Sequence, residues 1–129
     1  MKKIIILIPV FNDWESLIKL INEINENINN FKDIDFECIV INDASTKSCP
    51  SLSKPNNIKS LQILNMKKNK GHARCNAFGI RYIFKNKEFD NLILMDGDGE
   101  DRPIEIKSLI NEINNNSNIS VVAKRIKRS

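Results

Sequence analysis

Five consecutive residues, Asp96-Gly97-Asp98-Gly99-Glu100, carry three carboxylates at alternate positions. In an extended segment side chains at i, i+2 and i+4 share a face, so the three acids point the same way. Gly97 and Gly99 remove bulk and admit a backbone or a ligand closely. Three like charges gathered in one place repel each other unless a cation offsets them. Hard oxygen ligands favour magnesium, manganese or calcium, and magnesium sites commonly share their ion with substrate phosphates. A calcium EF-hand is excluded, because the twelfth position from Asp96 is Lys107, where that loop needs a bidentate glutamate. A bare Asp-x-Asp is more often a solvated turn, here capping the helix that starts near Pro103. Its position directly after a buried strand, with a third acid in phase, favours the cation.

Two further clusters can do chemistry. Asn42-Asp43 closes an apolar run. A carboxylate there either accepts N–H bonds from a nucleobase edge or makes an Asx turn in the loop that follows. Lys70-Gly71-His72-Ala73-Arg74 opens a helix, so free backbone N–H groups and cationic side chains meet at its positive end, which suits a diphosphate or simply water. His72 is the only histidine, so a histidine-based metal site is out of reach. A nucleophilic serine elbow, Gly-x-Ser-x-Gly, is absent, and so is a Walker A loop. The turn Pro9–Trp14 contains no glycine, which removes the dinucleotide fingerprint.

The elements that must position these groups alternate between strand and helix. Ile4–Val10 is a β-branched run suited to a central strand covered on both faces. Asn12 starts a helix with Glu15 as its capping-box partner, and Trp14, Leu17, Ile18, Ile21, Ile24 and Ile28 form its apolar stripe. Phe36–Ile41 is a second buried strand, residues 44–57 an exposed connection, and Ile58–Leu64 a weaker strand near an edge. Gly71–Phe84 is a helix, although Gly79 inside it costs about 1 kcal/mol relative to alanine. Leu92–Met95 is a short strand leading into the acidic cluster. Pro103 suits the first turn of the next helix, whose buried face is Ile106, Leu109, Ile110 and Ile113. Ile119–Ala123 is a last strand before a basic tail from Lys124 to Ser129, which holds phosphates, faces an anionic membrane or is simply solvated. This order implies a three-layer α/β fold with a mostly parallel sheet, whose ligands collect at the carboxyl ends of the strands. All three clusters fall there.

Composition bounds the rest. With 129 residues, 41% hydrophobic and 28% charged, the chain fits one domain, 1–129, and is neither disordered nor fibrous. Its formal net charge of +4 comes mostly from lysine, in a sequence crowded with isoleucine and asparagine, and reads as compositional bias. Trp14, Tyr82 and six phenylalanines offer no stacking platform, so nucleic acid is not an expected partner. Cys38, Cys49 and Cys75 are an odd set without a CxxC pair, which points to a reducing cytoplasm, with Cys38 and Cys75 buried for packing. The apolar start is short, contains Pro9 and lacks a cleavage site, so it reads as a strand rather than a signal peptide. No run approaches the ~20 apolar residues of a membrane span.

Together the segments Ile4-Ile5-Ile6-Leu7-Ile8-Pro9-Val10-Phe11-Asn12, Val40-Ile41-Asn42-Asp43-Ala44-Ser45, Asn69-Lys70-Gly71-His72-Ala73-Arg74 and Leu94-Met95-Asp96-Gly97-Asp98-Gly99-Glu100-Asp101-Arg102-Pro103 resemble the N-terminal part of a family 2 glycosyltransferase. Val121–Arg125 resembles the strand and arginine that follow. The resemblance runs through nearly the whole chain and implies a Rossmann-like GT-A nucleotide-sugar-binding fold. The nearest branch is similar to dolichyl-phosphate mannose synthase and undecaprenyl-phosphate sugar transferases of the cell envelope. It implies transfer of a sugar from a UDP- or GDP-sugar, with Mg2+ or Mn2+, to a polyprenyl phosphate or glycan acceptor at the inner face of the membrane. By the same resemblance Pro9 and Phe11 line the base and ribose site, and Asp43 binds the nucleobase. Asp96 sits by the ribose or the metal, Asp98 and Glu100 hold the cation, and Arg125 approaches a phosphate. Gly71, His72 and Arg74 belong to the donor site. Glutamine is frequent in the family where Glu100 stands, and aspartate where Asn42 stands. The family's acceptor half, with the catalytic base, is expected beyond Ser129, which makes this chain a donor-binding part.

Two other readings fit the same residues. One is a non-catalytic module that binds nucleotide or metal. The other is a receiver-like phosphotransfer domain, which needs a lysine at a later strand end, where only Lys124 is available.

Overall fold

The computed structural model describes residues 1–96, 105–115 and 123–126. Within them the chain runs β1 (Lys2–Val10), α1 (Trp14–Asn27), β2 (Ile34–Asn42), β3 (Ser60–Asn65), α2 (His72–Asn86), β4 (Asn91–Met95), α3 (Glu105–Asn115) and β5 (Ala123–Ile126). The five strands form one sheet in the order β3-β2-β1-β4-β5, every neighbouring pair parallel. This is the three-layer α/β arrangement expected above. The order also removes the receiver-like reading, because receiver domains place the second strand at the edge and the first beside the third.

β1 lies at the centre because its residues can be buried on both faces. Ile4, Ile6, Ile8 and Val10 pack with Trp14, Leu17, Ile21 and Ile24 of α1 and with Ile106 and Ile110 of α3. Ile5 and Leu7 point the other way, toward Cys75 and Ile83 of α2. A period of two on an unbroken apolar run thus feeds two cores at once. Fully burying each isoleucine or leucine contributes about 1.5–3 kcal/mol. β3, with no residue in the fully buried class, is an edge strand as expected.

Three expectations are corrected. Asn12 does not cap α1 with Glu15. Asp13 is the cap, its Oδ1 accepting from the Ser16 N–H at 3.4 Å, while Asn12 has φ 63° and uses its side chain elsewhere. Leu20 joins the buried stripe and Ile18 is only half-buried, because the helix presents its 17–20–21–24 face to the sheet. The last strand covers Ala123–Ile126 rather than Ile119–Ala123, pairing in register with Leu92–Met95, so Lys124 and Arg125 belong to the sheet and not to a tail. Pro103 lies outside the described residues.

Gly79 records how close α2 comes to the sheet. A Cβ built there would meet Leu7 Cδ1 at 2.6 Å and Cδ2 at 2.9 Å, and Leu7 is fully buried. Gly79→Ala gains about 1 kcal/mol of helix propensity but overpacks a core position at a cost of about 1–3 kcal/mol. Urea denaturation is expected to show a net loss of roughly 1 kcal/mol. In a Leu7→Val background, which removes both clashing methyl groups, the same substitution should cost less.

Candidate active site at the carboxyl edge of the sheet

The sheet splits at the carboxyl end. β1 pairs with β4 only from Ile4–Asn91 to Leu7–Leu94, yet continues along β2 as far as Val10–Asn42. The last three residues of β1 therefore have no β4 partner, and this is where chain order reverses across the sheet, the place where parallel α/β folds bind ligands. Pro9, which lacks an N–H, sits beyond the β1–β4 ladder and is buried there. Phe11, one step past the strand, is 40% exposed at the rim.

The end of β2 ties the crevice together. Asp43 is 1% exposed. Its Oδ1 accepts the Lys70 N–H at 2.7 Å and its Oδ2 the Gly71 N–H at 2.9 Å. Its own N–H donates to the Val10 carbonyl at 2.9 Å, and its carbonyl accepts from Asn69 Nδ2 at 3.2 Å. One residue thus links the ends of β1 and β2 to the loop that opens α2. Gly71 caps that helix at φ 87° with no side-chain cap bond. Among the described residues nothing lies within 4 Å of where its Cβ would be, and the positive φ by itself calls for glycine. Asn42 is also used structurally, donating to Asn65 Oδ1 at 2.9 Å and accepting from the Ser45 N–H at 3.1 Å. A carboxylate at position 42 could accept the second bond but not donate the first.

Asn12 makes the matching connection on the other side. Its Oδ1 accepts from the Lys47 N–H at 2.9 Å, and its N–H donates to Ser45 Oγ at 2.9 Å. Trp14 Nε1 donates to the Lys47 carbonyl at 3.0 Å. These bonds close the segment after β2 over the end of β1.

Asp96 ends β4 with 3% exposure, and its Oδ1 lies 4.0 Å from Nδ1 of His72. That separation is too long for a direct hydrogen bond. Asp43, Gly71, His72 and Asp96 are thus brought around one crevice. Arg74 does not join them: it is exposed on the opposite side of α2, lining a groove with Lys70, Phe78 and Arg81. Arg125 is placed by its backbone alone, opposite Leu94. Asp98 and Glu100 lie outside the described residues. Among the described residues no three His, Cys, Asp or Glu side chains gather as a metal site.

The role of Asp43 as anchor of the β3–α2 loop was missed by sequence reasoning. The partners are 27 and 28 positions away, beyond the reach of any local pattern. Burial first, then the hydrogen-bonding and charge of the Asp43 carboxylate beside it, push the Cys75 thiol from the ordinary 9.0 up to about 12. Burial alone does the same to Cys38.

A model of glycosyl transferase family 2 matches residues 5–129. No curated protein matches the chain. Among solved structures, the crystal structure of S. aureus homoserine dehydrogenase at pH 6.0 is similar at 18% identity and a TM-score of 0.39, covering 97% of this chain. The chain spans only 33% of that protein, and a likeness so shallow carries no argument.

Two outcomes follow from this geometry. Asp43→Asn leaves one acceptor for two N–H donors and turns an NH2 toward one of them, so it is expected to cost roughly 2–3 kcal/mol in urea denaturation. Hydrogen exchange at the Lys70 and Gly71 amides should speed up with it. The thiols supply the second. Cys38 and Cys75 stay protonated in the fold at pH values where the unfolded thiols, at 9.0, ionise. Their stabilising effect is complete below pH 9 and is lost as pH climbs toward 12. At pH 8 a thiol reagent is expected to label only Cys49 until denaturant is added.

Proposed function

The chain belongs to glycosyl transferase family 2, and on that premise we propose that it binds the nucleoside diphosphate of a UDP- or GDP-sugar donor in the crevice between the ends of β1 and β4. The observation that carries the reading is the meeting of buried Asp96, half-buried His72 and the N-terminus of α2 at the point where the sheet splits. The first turn of α2 has backbone N–H groups without intrahelical partners, aimed by the Asp43 anchor, and such a turn suits a phosphate. Phe11 offers an apolar rim for the base and ribose, with Asp43 beneath, whose carboxylate already holds the Lys70 and Gly71 amides and would give a remaining lone pair to a base N–H.

Asp96 supplies a hard oxygen donor of the kind that fits Mg2+ or Mn2+, and Asp98 and Glu100 would complete the set. When bound, such a cation offsets the charge that develops on the departing nucleoside diphosphate. His72, within reach of both Asp96 and the crevice mouth, would hold its imidazole against the phosphate or the sugar. Arg125, on the strand beside β4, would contribute a second phosphate contact. The acceptor is proposed to be a polyprenyl phosphate or a glycan, at the cytoplasmic face of the membrane. No helix among the described residues is long and apolar enough to cross a bilayer.

Titration calorimetry with UDP- and GDP-sugars in the presence of manganese tests this. Binding should appear with one of the two nucleotides, and Asp98→Asn should weaken it tenfold or more, about 1.4 kcal/mol. Equal affinity in the variant, or no heat with any nucleotide, would sink the proposal. Donor binding without turnover would favour a nucleotide-binding module over a complete transferase.

A further inference from the structure

Residues 44–87 contain ten lysines and arginines and no aspartate or glutamate. The rest of the chain holds ten basic residues and all sixteen acids, so a modest net charge of +4 hides a strong asymmetry. Four of those ten, Lys70, Arg74, Arg81 and Lys85, lie on or beside the outer face of α2, whereas Lys59 and Lys87 are paired with Asp35 and Glu37. Arg74, Phe78, Arg81 and Lys85 recur at helical spacing and form the stripe of α2 that faces away from the sheet. The three cations are exposed, and none makes an ion pair among the described residues. Lys70 and Met66 extend the stripe into an open groove of about 370 Å3 floored by Phe78. On the adjoining flank of the same helix Phe84 is 57% exposed.

Unpaired like charges side by side repel one another and are relieved by an anionic partner. Apolar side chains between them suit a partner that is charged at its surface and apolar just beneath. We propose that the outer face of α2 docks on anionic phospholipid headgroups, the cations meeting phosphates while Phe84 reaches toward the acyl boundary and the half-buried Phe78 and Met66, packed on the second core, line the groove between them. The long stems of Lys70, Arg74, Arg81 and Lys85 allow this, because they lie along apolar surface with the charge extended. The other face of α2 is packed on β1 and β2, so the helix lies on the bilayer and does not enter it. A nucleic acid fits less well, because the strongly exposed ring of this helix, Phe84, packs edge-to-face with Phe89 and gives no run of ring faces for successive bases.

The surface lies across α2 from His72 and Asp96, so its test is independent of donor binding. The full chain is mixed with vesicles of phosphatidylcholine alone or with phosphatidylglycerol, and binding is read by flotation. Binding is expected only with the anionic lipid, and high salt should release it. The Arg81→Gln/Lys85→Gln double variant should partition roughly thirtyfold less, and Lys32→Gln, away from this helix, should behave as wild type. If the double variant does not fold by circular dichroism, Lys67→Gln/Lys68→Gln in the loop before α2 gives the same readout. Equal binding to neutral vesicles, no binding to either, or full binding by the folded double variant overturns the proposal. Preferential capture by duplex DNA, lost in the same variants, would also overturn it and assign the face to nucleic acid.

Discussion

A single buried carboxylate holds the working edge of this molecule together. Asp43 sits almost wholly out of solvent, at the tip of β2, and spends both of its oxygens on the backbone amides of Lys70 and Gly71. A buried charge is costly unless it is met by donors in good geometry, and these bonds are short and charge-assisted. Because its own N–H is bonded to Val10, the same residue sets the distance between the first two strands and the start of α2. Remove the carboxylate and the helix that carries His72 loses the tie that aims it.

Around that anchor the fold makes a cleft by stopping a ladder early. β1 outlasts its pairing with β4 by three residues, and the glycine at φ 87° lets the chain turn sharply into α2. The crevice is therefore a result of unequal strand lengths and of positive-φ turns at Asn12, Ala44 and Gly71. Its polar content comes from strand ends, the one place in a parallel sheet where side chains face neither core. The same helix then serves two surfaces: His72 on the sheet side looks toward Asp96, whereas Arg74, two residues later, looks away. A rotation of about 200° over two residues separates them.

Much of the architecture was legible in the residues. The unbroken run from Ile4 to Val10 has no polar residue to turn toward water, so burial on both faces follows from its composition. The α1 stripe follows from the spacing of Trp14, Leu17, Ile21 and Ile24, and the parallel sheet from the alternation of strands with helices. The weaker apolar run Ile58–Leu64 pointed to an edge strand, which the structure places at Ser60–Asn65. The start of α1 and the last strand were harder. Asn12 looks like a cap, but its side chain is claimed by Lys47, 35 residues later. The register of β5 depends on where it meets β4, and a run such as Val121–Ile126 permits several.

What the residue order determined by itself was which side chains could be buried, and therefore the layers, the parallel strands and the edge at which polar groups collect. Membership of a glycosyl transferase family was legible in the same way, because strand ends and their polar residues recur in a fixed order. Only the tertiary structure decided that Asp43 binds a loop on its own chain, that Asn42 needs both a donor and an acceptor, and that Arg74 faces away from Asp96 while His72 faces it. Those outcomes turn on contacts between residues tens of positions apart and on the phase of one helix about its axis. Local patterns fix neither, since both are set by how the two apolar faces of β1 are covered.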